Sequence, residues 1–274
     1  MHTRALWLGV LIGLAACGGS SAASTTQAPV TEAPTTVVAT TVAPTTTGTS
    51  PAETGSTVES ISPTTPVTAP APSIDVAADQ AAAEAARLVL TDFDVGWSEV
   101  AQDKDDATDT VVKRRVAECA GVNAPTAADF GGALAETGYF TSPSGDSVAE
   151  SVSFAGSLDE AVERMAHFAA PEFAACIQQV YEEFIPAKLG SGAKLKSLTV
   201  AKLNVTPAGD EMVAFRVTIT AGKSGLTVDL YADIIVIRSG RIIASPTFQA
   251  QFSPFDIDET ERLVALAADR LPNS

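Results

Sequence analysis

Arg216, Asp229, Tyr231 and Asp233 are of types that could hold a polar ligand, and their spacing puts them together. Glu211 to Thr220 and Leu226 to Arg238 alternate apolar and polar residues, the period-two pattern of half-buried strands. With Gly222 to Gly225 as the loop, Ala221 pairs with Leu226, Ile219 with Val228 and Phe215 with Ala232. That register matches apolar to apolar along the pair. On the polar face it sets Arg216 across from Tyr231, with Asp229 and Asp233 on the diagonals. Two acids beside an Arg and a Tyr can line a groove for a small polar ligand; the alternative is a plain solvated strand face. Paired carboxylates also suit glycoside hydrolysis, which requires a deep cleft and stacking aromatics. Trp97 is the one Trp beyond Trp7 and reads as a core anchor.

Other candidates carry less. His167 is the only His after His2, and it falls opposite the apolar stripe of its helix beside Glu163 and Arg164. A Ser-His-Asp or Cys-His site would have to be built on that one imidazole. The run Asp103-Lys104-Asp105-Asp106-Ala107-Thr108-Asp109 gathers hard oxygen ligands, but an EF-hand loop needs Gly at 108 and Glu at 114, where Thr108 and Arg114 stand. It reads as a solvated acidic loop. No metal or cofactor motif is present in the sequence.

Cys17 is a different kind of site. Arg4 precedes an unbroken apolar run, Ala5 to Ala16, that ends in Leu14-Ala15-Ala16-Cys17. One positive charge, about a dozen apolar residues and small residues at the cut make a secretory signal over 1–16. The run is shorter than the ~20 apolar residues of a spanning helix. The Leu-Ala-Ala-Cys sequence resembles the lipobox of bacterial lipoproteins, which implies cleavage before Cys17 and lipid on its thiol. Two acyl chains give stable anchoring where one gives marginal binding. The implied partner is a lipid bilayer, held through the Cys17 acyl chains. The implied location is the extracytoplasmic side of the cell membrane.

After Cys17, only Cys119 and Cys176 remain, an even pair in an oxidising compartment. A bridge between them would close a loop of nearly sixty residues and stabilise by ~4 kcal/mol in the chain-entropy model. The alternative is two free buried thiols.

These sites need elements to hold them. Residues 18–73 are almost entirely Thr, Ala, Pro, Ser, Val and Gly, with Glu32, Glu53 and Glu59 the only charges. Such a stretch cannot bury enough apolar surface to fold, and as a coil it spans roughly 40 Å. Its Thr-Pro clusters are typical O-glycan acceptors. Residues 74–274 form one domain of ordinary size. It holds 30 of the 33 acids and 16 of the 17 bases, which argues against nucleic acid and against docking on anionic lipid head groups, both of which want basic patches.

Within the domain, Val76 to Leu90 reads as an Ala-rich helix and Gly96 as a turn before Trp97. Thr137 to Pro143 and Ser147 to Ala155 read as strands. Ser157 caps one helix, Pro171 starts a second that aims Cys176 at the core, and Asp256 caps a last one reaching Leu271. Ser197 to Val205 and Arg241 to Phe252 complete an antiparallel meander. A three-residue loop, Arg238-Ser239-Gly240, would pair Ile237 with Arg241 and Leu230 with Phe248. That adds Thr247, Gln249 and Gln251 to the Arg216 face, and Pro246 marks an edge strand. The expected fold is α+β, an antiparallel sheet covered on one face by helices.

Several of these features combine into a resemblance. An N-terminal helix leads into Phe93-Asp94-Val95-Gly96-Trp97, and a Cys lies in Ala117-Glu118-Cys119-Ala120-Gly121. A helix pair carries Cys176, and Ser253-Pro254-Phe255 precedes the last helix. Over Leu88 to Leu271 this resembles the sensor-like extracellular domains of actinobacterial lipoproteins, related to the PknH-type receptor-kinase ectodomain. That resemblance implies a grooved α/β fold with a ligand-sensing role. The PknH-type domain has two disulfides, whereas this chain can form one. The expected function is non-catalytic binding or sensing of an envelope component, a small polar ligand or an envelope protein. The rival classes are an envelope-polymer hydrolase and a scaffold without a ligand.

Cys17→Ser tests the anchor. The substitution should move the protein from the membrane to the soluble or unprocessed fraction and remove the lipid mass; unchanged partitioning contradicts lipidation.

Overall fold

The computed structural model describes residues 74–101, 107–121, 133–189 and 192–272. The signal sequence, Cys17, the Thr/Pro-rich segment and residues 102–106 of the acidic run lie outside the described residues.

Helix α1, Val76–Ala86, starts at Asp75, whose carboxylate accepts from the Ala77 and Ala78 amides. It ends four residues before Leu90, and Leu90–Asp92 forms a 3-10 turn instead. Strand β1 is Ser98–Val100, and α2 is Ala107–Cys119. Strands β2, Leu134–Glu136, and β3, Tyr139–Thr141, precede β4, Ser147–Phe154. The capped helix α3, Leu158–Ala169, begins where Ser157 accepts from the Glu160 amide. Pro171 occupies the first position of α4, Pro171–Lys188, where its missing N–H costs nothing. Strands β5, Ala193–Lys202, β6, Glu211–Lys223, β7, Leu226–Ser239, and β8, Ile242–Gln251, precede α5, Ile257–Arg270.

All strand pairs are antiparallel, in the order β1-β3-β4-β8-β7-β6-β5, with β2 also on β4. The α+β expectation holds, but helices pack on both faces of the sheet rather than on one, because interior strands such as β7 are apolar on both sides at Ile234 to Ile237. One face joins Ile235, Ile237, Ala244 and Phe248 to Ala83 and Ala86 of α1 and Leu263, Val264 and Ala267 of α5. The other joins Phe215, Val217, Ile219, Ala232 and Ile234 to Val112 and Val116 of α2 and to α4. Each fully buried side chain of this size contributes about 1.5–3 kcal/mol. Cys119 and Cys176 form a disulfide with Cα atoms 5.6 Å apart, tying α2 to α4.

Three expectations about the sheet need correction. The β6–β7 turn has two central residues, Ser224 and Gly225, both at positive φ (51° and 84°), not four. Both angles suit the turn that matches strand twist. The register moves by two, so faces are kept but partners change: Arg216 faces Asp233, and Thr218 faces Tyr231. The β7–β8 turn is also two residues, Gly240 (φ 55°) and Arg241, so Ser239 pairs with Ile242. This moves the register by three and reverses β8. Thr247 now pairs with Ile234 and Gln249 with Ala232, on the face opposite Arg216, while Leu230 pairs with Gln251 rather than Phe248. Finally, β8 is an interior strand between β4 and β7, despite Pro246. The β7–β8 pairing skips Ile235 and Val236 beside that proline, which has no N–H to donate.

A polar corner locks α1 and α5 onto β4. Glu150, 2% exposed, accepts from the Leu88 amide at 2.6 Å through Oε2. Arg270 of α5 pairs with both Asp92 oxygens at 2.5 and 2.6 Å and donates to the Arg87 carbonyl. Burial pushes the Glu150 carboxyl up to about 7, and the Leu88 hydrogen bond only partly offsets it. A carboxyl raised on folding opposes folding once ionised. Its penalty is absent below the unfolded value near 4.5, grows as pH rises towards 7 and reaches roughly 3 kcal/mol above that. Glu150→Gln keeps an acceptor for Leu88 without the charge. Denaturant titrations should find this variant more stable than wild type at pH 8, with the gap closing by pH 4.5; a gap independent of pH contradicts a buried ionising carboxyl.

Candidate functional site

Strands β6 and β7 put Arg216, Asp229, Tyr231 and Asp233 on one face, because their register preserves the alternation of the sequence. They do not act as one cluster. Arg216 donates through Nε and Nη2 to the two Asp233 oxygens, both at 2.6 Å, a bidentate pair. Asp229 instead accepts from the Thr220 hydroxyl at 2.7 Å, further along the ladder. Tyr231 stands opposite Thr218 and is half-buried.

The Asp233 side chain is 1% exposed and that of Arg216 24%, so the pair bridges core and surface. Hydrogen bonding to Asp233 pushes the Arg216 pKa further above its ordinary value, and Arg216 stays charged. Removing the guanidinium would strand a buried carboxylate, a loss of about 3–5 kcal/mol. Arg216 is therefore structural on its inner side. Its outer side lines an open groove of about 560 Å³.

That groove lies between the C-terminal end of β5, the middle of β6 and the entry to α5. Arg216 and Thr218 supply its polar side chains; Lys202 and Asn204 border it, but Lys202 pairs with Phe215 and so starts on the opposite face of the sheet. Leu203, Pro254, Phe255 and Ile257 supply the apolar part. The walls are fixed locally. Glu261 of α5 accepts from the Thr206 amide and hydroxyl, both at 2.9 Å, which pins the β5–β6 connection to the helix. Phe255 packs against Phe248 and Trp97, with centroids 5.2 and 6.4 Å apart. Trp97 thus serves the core, stacked 4.7 Å from Phe93. Phe252, two residues before Pro254, is 73% exposed at φ 72°.

Alternation within one strand pair could not find Phe255 or Ile257, which come from a helix entry distant in sequence. The Ser253-Pro254-Phe255 turn before α5 was the one local signal for that wall. His167 lies on α3, its Nε2 3.8 Å from Glu163 and its side chain 43% exposed. Of the acidic run, Asp109 falls in the first turns of α2 and 103–106 lie outside the described residues. Among the described residues, no group of three or more His, Cys, Asp or Glu side chains could hold a metal ion. Nor, among them, is any helix long and apolar enough to cross a membrane.

No protein-family model and no curated protein sequence matches the chain. Among solved structures, the chain is similar to the extracellular domain of PknH from Mycobacterium tuberculosis. Identity is 10% and the TM-score 0.27, over 48% of this chain and 61% of that one. It is also similar to LpqN of the same organism, described as involved in cell envelope biogenesis, at 13% identity and a TM-score of 0.22, over 49% of this chain and 68% of that one. The chain thus spans about three fifths of the PknH domain. Likenesses this faint assign neither a family nor a function.

Proposed function

We propose that this chain is an exported lipoprotein, anchored through Cys17, whose domain binds an amphiphilic envelope component with an anionic head in the Arg216 groove. The carrying observation is the groove's chemistry. On a chain of formal charge −16, the groove presents Arg216 and Thr218 as its polar side chains, with Asp233 beneath the guanidinium. The guanidinium edge that Asp233 leaves free and the Thr218 hydroxyl suit a phosphate or carboxylate head. Leu203, Phe255 and Ile257 offer the apolar half of the contact. Thr218 is the sole hydroxyl of the lining, with no base among its neighbours there, which supports binding rather than hydrolysis. The signal and lipobox pattern before Cys17 supports the location, as does a disulfide of the kind that persists in oxidising compartments.

Thr218 is the side chain to test, since it lines the groove on the face of Arg216 and its loss leaves Asp233 paired. Octyl phosphate should bind the full chain more tightly than octyl glucoside, and Thr218→Glu should weaken octyl phosphate at least tenfold while the chain stays folded by circular dichroism. Equal affinity for the two amphiphiles, or an unchanged affinity in a folded Thr218→Glu, rules out the groove as an anion-headed site.

A further inference from the structure

Strand β5 closes one end of the sheet. It pairs with β6 alone, so among the described residues its outer edge meets no strand. An open edge of this kind presents a row of backbone N–H and C=O groups to which a further strand can bind. The edge is accessible: Lys194, Lys196, Ser197, Thr199, Ala201 and Lys202 are all exposed. The register with β6 shifts between Leu195 and Ser197, which leaves 197–202 as a regular run.

The same edge gathers the unpaired cations of an acidic protein. Among the described residues, every arginine except Arg87 pairs with a carboxylate. Lys194, Lys196, Lys202 and Lys223 are exposed, and none of the four has a carboxylate partner among those residues. All belong to β5 or to the end of β6 beside it. The register puts two on each face of the sheet. Lys194 pairs with Gly222, on the Arg216 face, and Lys196 reaches over Gly222 to the Thr227 hydroxyl on that face. Lys202 pairs with Phe215, and Lys223 lies an even number of residues from Phe215, so both start on the other face. The acid surplus of the whole domain conceals this local reversal of sign.

We propose that the β5 edge is a docking site for an extended acidic segment of a partner protein, which adds to the sheet as a further strand. The edge supplies main-chain hydrogen bonds along that segment. Lysines on both faces suit acids at successive positions, since neighbouring side chains of a strand point to opposite faces. Opposite charges facing each other across strands attract, and like charges repel. A second copy of β5 is thereby a poor occupant, because edge-to-edge pairing would bring the two sets of lysines together. The Thr/Pro-rich segment is a poor one too, with Glu32, Glu53 and Glu59 its only charges and prolines that cannot donate. Edge lysines that served only to keep copies apart would need no acidic partner and would bind none.

The full chain should be titrated with an acetylated, amidated peptide of three Thr-Glu-Glu repeats, and with the same peptide carrying Pro for each Thr. The second keeps the charge and loses amide donors. The Thr peptide should bind at least tenfold more tightly, and it should slow hydrogen exchange at amides of β5. Lys194→Glu combined with Lys223→Glu should weaken that binding at least tenfold and leave the melting temperature unchanged, because neither lysine has a carboxylate to lose. Lys194→Gln with Lys223→Gln should act in the same direction to a smaller extent, and it remains informative if the charge reversals do not fold. No binding of either peptide at millimolar concentration would leave the lysines the sole task of keeping copies apart. Equal binding of the two peptides would mean a charged patch without strand addition. Either result, or an unchanged affinity in both double variants, overturns the proposal.

Discussion

The pairing of Ser239 with Ile242 across Gly240 and Arg241 determines which side chains of β8 enter which half of the core. Gly240 takes φ 55° there, a conformation glycine adopts without a Cβ penalty. Because side chains alternate strictly along a strand, a displacement by an odd number of residues exchanges its two faces. With this turn, Ile242, Ala244, Phe248 and Ala250 join the core beneath α1 and α5. Ile243, Thr247 and Gln249 go to the other side. A loop one residue longer, pairing Ile237 with Arg241, would drive Gln249 under α5 and take Phe248 out of its contact with Phe255.

From that division follows a separation of chemistry between the faces. The α5 side carries charge: Arg216 lines the groove, and three acids, Asp79, Glu150 and Asp233, lie beneath the surface. Asp79 pairs with Arg241, and the other two are handled differently. Asp233 receives a guanidinium on both oxygens, whereas Glu150 has one backbone amide on Oε2 and no partner on Oε1. Burial therefore raises the Glu150 carboxyl. The opposite side, along β4 and β8, carries neutral hydroxyls and an amide.

Much of this was legible in the sequence because it is local. Apolar periods marked α3, α4 and the strands, Pro171 and Ser157 marked helix starts, and the even cysteine pair agrees with the bridge between α2 and α4. Arg216 and Asp233 could be put on one face because the error in the β6–β7 turn was an even number of residues. The same pattern matching failed at β7–β8. There, Ile234-Ile235-Val236-Ile237 is apolar on both faces, so alternation could not choose between registers. Pro246 pointed to an edge, but the sheet tolerates it in the interior by breaking two pairings. The apolar wall of the groove arises from segments distant in sequence, and no single strand encodes it.

The β7–β8 register is the claim on which the division of the two half-cores rests, and backbone nuclear Overhauser contacts measure it directly. In a triple-labelled sample, cross-strand contacts between backbone protons should link Ala232 with Gln249 and Ile237 with Ala244, as paired in the sheet. Contacts linking Leu230 with Phe248 and Ile237 with Arg241 would instead place Gln249 on the Arg216 face and contradict the account.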